Sequence, residues 1–239
     1  GMYGYGYGYG LDPTIILVLI GVALSLWAQG RVNSTFSRYS RVRSMTGMTG
    51  AEAARRLLNA QGIYDVTVQQ IAGELTDHYD PRTKTVNLSQ SVYGATSVAA
   101  IGVAAHECGH AMQDNEGYAP LRFRSALVPV ANFGSSLSWP LILLGLVFGG
   151  LGSPLVEIGI LMFSLAVLFQ LVTLPVEYNA SARAVRLLDA QGILAGEEVN
   201  GTRKVLNAAA LTYVAAAATS ILQLLRLIIL FGGRNRRDR

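Results

Sequence analysis

With 239 residues, 51% of them hydrophobic and only 14% charged, the chain falls well below the roughly 25% charge of soluble domains and reads as a membrane protein. Its formal net charge of +4 comes mainly from arginines flanking apolar stretches, which suits anionic lipid headgroups. The sequence carries no phosphate loop, nucleic-acid motif or redox pair, so nucleic acid is not expected as a partner, and a lone cysteine, Cys108, excludes an intrachain disulfide.

In chain order, Gly1 before Met2 reads as a remnant of tag removal, and Tyr3 to Gly10 is a strict Tyr-Gly alternation. Residues 1–10 are therefore a low-complexity N-terminus, suited to the headgroup layer where tyrosine is favoured. Residues 11–30 form the first expected span: Leu11 to Ala28 is apolar except for Asp12, Pro13, Thr14 and Ser25, and a spanning helix needs about 17 to 25 residues. A cleaved signal is disfavoured, because no Lys or Arg precedes the run and Gln29-Gly-Arg31 follows it. Residues 31–135 are expected outside the bilayer. Within them, Thr49 with Glu52 three residues later signals a capped amphipathic helix to about Gln61. Val66 to Ala72 alternates as a strand does, and Glu74–His78 with Lys84–Ser89 flank the turn Tyr79-Asp-Pro-Arg82 as a β-hairpin. A short sheet of this kind either packs on the following helix or offers an edge strand to an extended peptide.

A helix is expected from about Gln90 to Gln113. It carries His106-Glu107-Cys108-Gly109-His110, in a chain with three histidines in all. At i and i+4 the two imidazoles project from one face and can reach one metal ion. Glu107 lies beside the first ligand, placed to act as a base on water without ligating. Two neutral nitrogens, a base and an open position are what a zinc hydrolase needs. Cys108 falls on the opposite side, as a small buried residue.

A third ligand is needed. Asp114 and Glu116 lie too close to His110 to fold back easily; Glu157, Asp189, Glu197 and Glu198 are more remote candidates. Glu177 fits best, because it follows an apolar run and opens a helical stretch, Glu177-Tyr-Asn-Ala-Ser-Ala-Arg183. His78, the remaining histidine, is the alternative. The apolar run belongs to an expected transmembrane hairpin over 136–176, turning at Gly149-Gly-Leu-Gly-Ser-Pro154. Residues 177–204 then hold the helix with the third ligand. Residues 205–231 form an apolar C-terminal helix, transmembrane or interfacial, and 232–239 a basic tail. Arg226 within the last helix can snorkel. Arg31, Arg38, Arg41, Arg43, Arg55 and Arg56 after the first span place the catalytic segment in the cytoplasm by the positive-inside rule. An out-and-back hairpin returns Glu177 to the same side. The arginines of the tail argue against that orientation if the last helix spans.

Gly73-Glu-Leu-Thr-Asp-His-Tyr-Asp-Pro-Arg82, Ala104-Ala-His-Glu-Cys-Gly-His-Ala111, Tyr118-Ala-Pro-Leu121 and Leu174-Pro-Val-Glu-Tyr-Asn-Ala-Ser-Ala-Arg-Ala184 resemble the bacterial membrane zinc metallopeptidases of the YugP type, over about Met48 to Ala218. These are distantly similar to the HtpX and Ste24 membrane proteases, whose third ligand opens an E-x-x-x-D-like helix. The resemblance implies a mainly α membrane protein with a small α+β zincin-like domain in a multi-pass bacterial cell-membrane enzyme. It implies one Zn2+ per chain on His106, His110 and Glu177, with Glu107 as the base. Ser181 stands where those relatives carry aspartate, so Asn179 or Ser181 is left to orient a zinc histidine. Arg183, His78 and Tyr178 are the candidates for stabilising an oxyanion. The expected partners are a protein or peptide substrate and the lipid bilayer. A homo-oligomer stays open. A non-catalytic scaffold with structural zinc is the rival reading; a transporter has little support, since only Glu157 and Arg226 put charge into the spans.

Overall fold

Four long helices and a small mixed α+β layer build the molecule. The structure, a computed structural model, describes residues 12–232; the expectations for the Tyr-Gly segment and the arginines of the tail lie outside the described residues. α1 (Ile15–Ser40), α2 (Gly50–Ala60), β1 (Thr67–Ile71), β2 (His78–Asp80), β3 (Thr85–Ser89), α3 (Gln90–Tyr93), α4 (Val98–Glu116), α5 (Ala119–Gly149), α6 (Pro154–Ala190) and α7 (Glu197–Phe231) follow in order. Among the described residues α1, α5, α6 and α7 are long and apolar enough to cross a membrane. Their outer faces are apolar too: Leu26 is 69% exposed and Phe148 80%, an arrangement stable in lipid and costly in water. The protein is a mainly α membrane protein.

The long helices approach closely where side chains are small. A Cβ on Gly159 of α6 would lie 2.8 Å from the Ser138 carbonyl oxygen of α5, so this hairpin packs backbone against backbone, as membrane helices do. α1 and α7 run antiparallel: Gly21 faces Thr219, and Tyr39 faces Gly201. Arg226 donates to Thr14 Oγ1 at 3.2 Å and pairs with Asp12 at 3.5 Å, joining the start of α1 to the end of α7. The described N- and C-terminal ends therefore lie at one end of the bundle.

Two local expectations need correction. The helix expected over Gln90–Gln113 is two helices, because Gly94 ends α3 and Ser97 begins α4 by accepting from the Ala100 N–H at 3.0 Å. The hairpin exists, but its first strand is His78–Asp80, so Tyr79 and Asp80 are in the ladder and not in the turn. The sheet order is β1-β3-β2, with β1 parallel to β3 and β2 antiparallel to it. β3 is buried throughout, which leaves β1 and β2 as edges. Elsewhere the capping box at Thr49 and Glu52 forms, with both reciprocal hydrogen bonds. The border expected at 176/177 falls inside α6, and α5 starts well before residue 136.

The main core joins α2, the sheet, α4, the last turns of α6 and the start of α7 around Leu57, Leu88, Ile101, Leu188 and Ile193. Cys108 is fully buried in it, its thiol 3.6 Å from the Ala54 carbonyl oxygen, and burial pushes that thiol's pKa up. α4 thus turns one face to the core and the other to α6.

Candidate metal centre

The crossing of α4 over α6 sets the geometry. Gly109 lies against the α6 backbone, where a Cβ would come within 2.5 Å of the Ala180 carbonyl oxygen. That approach sets His106 and His110, on either side of Gly109, opposite Glu177 and Ser181. One oxygen of Glu177, Oε2, lies 2.9 Å from His106 Nε2 and 3.2 Å from His110 Nε2. The three potential donor atoms fall within 4.8 Å of one another, the one such cluster of three or more found among the described residues. Glu177 and His110 are buried, and the His106 side chain is largely covered.

The other ring nitrogens are held from behind. His106 Nδ1 is 2.8 Å from Ser181 Oγ, and His110 Nδ1 is 2.9 Å from Gln113 Oε1. The second contact belongs to a chain with one consistent polarity. The Arg183 guanidinium can only donate, and its Nε reaches Asn179 Oδ1 at 2.7 Å. Asn179 therefore presents oxygen to the Gln113 amide nitrogen, 2.9 Å away, which also donates to the Val176 carbonyl. Gln113 must then present oxygen to His110, so His110 Nδ1 carries the proton. The Nε2 lone pair is left facing the Glu177 carboxylate. A lone pair and a carboxylate oxygen at that distance repel unless a cation or proton lies between them. Two imidazole nitrogens and one carboxylate oxygen form a donor set suited to zinc. The remaining Glu177 oxygen, Oε1, accepts from Arg124 Nη1 at 2.8 Å, which neutralises a buried charge and fixes the carboxylate's orientation.

Glu107 is 8% exposed, and burial, the dominant cause, pushes its carboxyl up to about 8. It lines both cavities that meet at the centre. The larger, about 680 Å³, opens between β2, α5, α6 and α7 and includes His78, His110, Arg122 and Arg124. The smaller, about 250 Å³, lies among α1, α4, α6 and α7 on the His106 side. Asp77, Glu107, Glu177, Thr212 and Tyr213 line both.

The other residues singled out from sequence fall as follows. His78 is exposed on the larger cavity wall, with Nδ1 2.9 Å from the Thr76 carbonyl oxygen, and is not among the converging donors. Ser181 and Asn179 both stand behind the centre, one directly and one through Gln113. Arg183 is turned away: it forms a two-pronged ion pair with Glu116, stacks on Tyr118, and lines neither cavity. Tyr178 is 45% exposed and faces a separate surface depression. Sequence reasoning missed Gln113, Arg124, Asp77 and Tyr213. Gln113 was open to discovery, since it lies three residues after His110 on the same helical face. Arg124 and Tyr213 come from distant helices, and their sequence surroundings carry no signal.

Comparison with known proteins finds a family and a relative. Residues 14–232 match a family described as "Putative neutral zinc metallopeptidase". The chain is also 49% identical, over 217 residues, to the "Putative membrane protease YugP" of Bacillus subtilis (strain 168), covering 91% of this chain and 96% of that one. The chain belongs to this zinc metallopeptidase family. No solved structure matches it.

Proposed function

We propose that the protein is a membrane-embedded zinc endopeptidase, with His106, His110 and Glu177 holding one Zn2+ and Glu107 as the general base. The observation that carries this is the convergence of His106 Nε2, His110 Nε2 and Glu177 Oε2 on one point, beside a buried Glu107 that lines both cavities. Zinc in such a set supplies Lewis acidity for the carbonyl and lowers the pKa of water towards about 7. Glu107 takes the proton from the attacking water and returns it to the leaving amine. Gln113 and Ser181 hold the imidazoles, and Arg124 holds the carboxylate. β2 supports a peptide substrate: it is a sheet edge, and its Asp77–Tyr79 region lines the larger cavity, so an extended chain can pair along it.

The arginines that follow the first span support a centre on the cytoplasmic side of a bacterial cell membrane. The antiparallel α1 and α7 support an even number of crossings, four in all, with both described ends on the opposite side. A scaffold with structural zinc needs no base, yet Glu107 occupies the junction of the two cavities, which favours catalysis.

The test uses the full chain in detergent, with bound zinc and cleavage of unstructured casein as readouts. Glu107→Gln is expected to keep the wild-type zinc content and to lose about 10²- to 10⁴-fold in cleavage rate, the usual worth of a positioned base. Undiminished cleavage by that variant removes Glu107 from the mechanism. Zinc-loaded wild type that cleaves nothing returns the scaffold reading.

A further inference from the structure

We propose that the smaller cavity is the pocket that receives one bulky apolar side chain of the substrate, next to the bond that is cut. This rests on the endopeptidase reading and names the substrate class for it. The residues shared by the two cavities, Asp77, Glu107, Glu177, Thr212 and Tyr213, are polar and mark where the cavities meet, at the metal centre. The lining private to the smaller cavity is mostly apolar: Val32 and Phe36 of α1, Val103 of α4, and Leu206, Ala209 and Ala210 of α7. Of its private polar groups, Ser181 is engaged with His106, and Gln29 donates through Nε2 to Asn33. The larger cavity differs, with Asp114, Arg122 and Arg124 in its wall.

Size agrees with chemistry. An apolar cavity of about 150 Å³ takes a benzene ring, so about 250 Å³ accommodates a Phe or Leu side chain with room to spare. The walls are braced, since Phe36 and Val103 also pack on the main core and Leu206 is part of it. Beyond the shared polar groups at the metal centre, a lysine or glutamate side chain would lose hydration against the apolar private wall; the Asp77 carboxylate is already bonded to the Ser89 N–H and hydroxyl. α7 presents only alanine methyls at 209 and 210, so these two positions set the width of the pocket.

The experiment is to digest casein with the zinc-loaded full chain in detergent and map the cuts by mass spectrometry. Peptides around one mapped cut, differing only at the selected position, are then compared. The expected result is enrichment of Phe, Leu or Met at one fixed position beside the cut, with kcat/KM falling roughly tenfold or more when that residue becomes Ala or Lys. Ala209→Leu should shift preference to smaller residues, and Phe36→Ala to larger ones, with zinc content unchanged in both. Cuts with no apolar preference, or a preference for Lys or Arg, overturn the pocket while leaving the endopeptidase standing. An apolar preference unmoved by two folded, zinc-loaded variants also overturns it. Absence of any cleavage by zinc-loaded wild type removes the endopeptidase reading, and the pocket with it.

Discussion

The two halves of α6 are continuous in backbone and opposite in character. From Pro154 to about Thr173 the helix shows Ile158, Leu161, Leu168 and Leu171 outward and packs on α5 through Gly159 and Val156. From Val176 onward one face of the helix is covered, and the polar side chains on that face have named partners: Glu177 with His106, His110 and Arg124, Asn179 with Gln113 and Arg183, Ser181 with His106. Pro175 lies between them and withholds one N–H from the ladder. The first half needs apolar bulk of about the right shape, which many sequences supply. The second needs particular atoms at particular places, which few do. One helix thus carries an apolar outer face along one half and completes the cluster of donors with the other.

The sharpest way to break this contrast is to truncate one side chain in each half. Glu177→Ala removes a donor that faces both histidines, and zinc affinity is expected to fall by more than the roughly 100-fold typical of losing a group that only orients a ligand. Leu161→Ala, 63% exposed, should leave zinc content unchanged, since lipid tails fill the space. Metal analysis after dialysis against a graded chelator reads both. Zinc retained by Glu177→Ala would remove Glu177 from the ligand set.

A second pair compares the backbone crossings. Gly109→Ala and Gly159→Ala each drive a methyl into a carbonyl oxygen of a neighbouring helix, of Ala180 and Ser138 respectively, and overpacking of this kind costs about 1–3 kcal/mol. Both variants should melt several degrees lower in detergent. Only Gly109→Ala should also bind zinc less tightly, because it alone separates α4 from Glu177. Equal zinc affinity in the two variants would mean that α4 and α6 can part without disturbing the donors.

Much of the first half was legible in the sequence and only some of the second. The apolar runs, the turn at Gly149–Pro154 and the cap at Thr49 are local signals, read from hydropathy and from fixed offsets along the chain. The His106-Glu107-x-x-His110 spacing is local too, since one helical turn fixes which side chains share a face. Glu177 was legible for a different reason: few acids follow an apolar run and open a helical stretch. The break at Gly94 was obscured by the alanines that follow it, Ala95, Ala99 and Ala100, which favour helix whatever their neighbours do. The parallel pairing of β1 with β3 and the contributions of Arg124 and Tyr213 depend on which helix lies beside which. That is decided by packing over the whole fold, to which no window along the chain has access.

Gln113 and Ser181 give the finest form of the comparison, because both touch the Nδ1 of a histidine in the centre and the two contacts are not equivalent. A serine hydroxyl donates or accepts as required, so Ser181 steadies the His106 ring without selecting its tautomer. His106 is also the more open of the two, with 14% of its side chain exposed against 10% for His110, so water can stand in for the hydroxyl. Gln113 is wholly buried, and its polarity is dictated from Arg183 through Asn179. Gln113→Ala strips His110 of its acceptor at Nδ1 and leaves the Val176 carbonyl without its amide partner. Zinc affinity should fall by about 10- to 100-fold, and by less for Ser181→Ala. Arg183→Ala removes only the far end of the relay, and should weaken binding least. The order Gln113, then Ser181, then Arg183, measured by chelator competition on folded protein, is the signature of a tautomer fixed from a distance. Equal losses at Gln113 and Ser181 would mean that both residues merely fill space behind their rings.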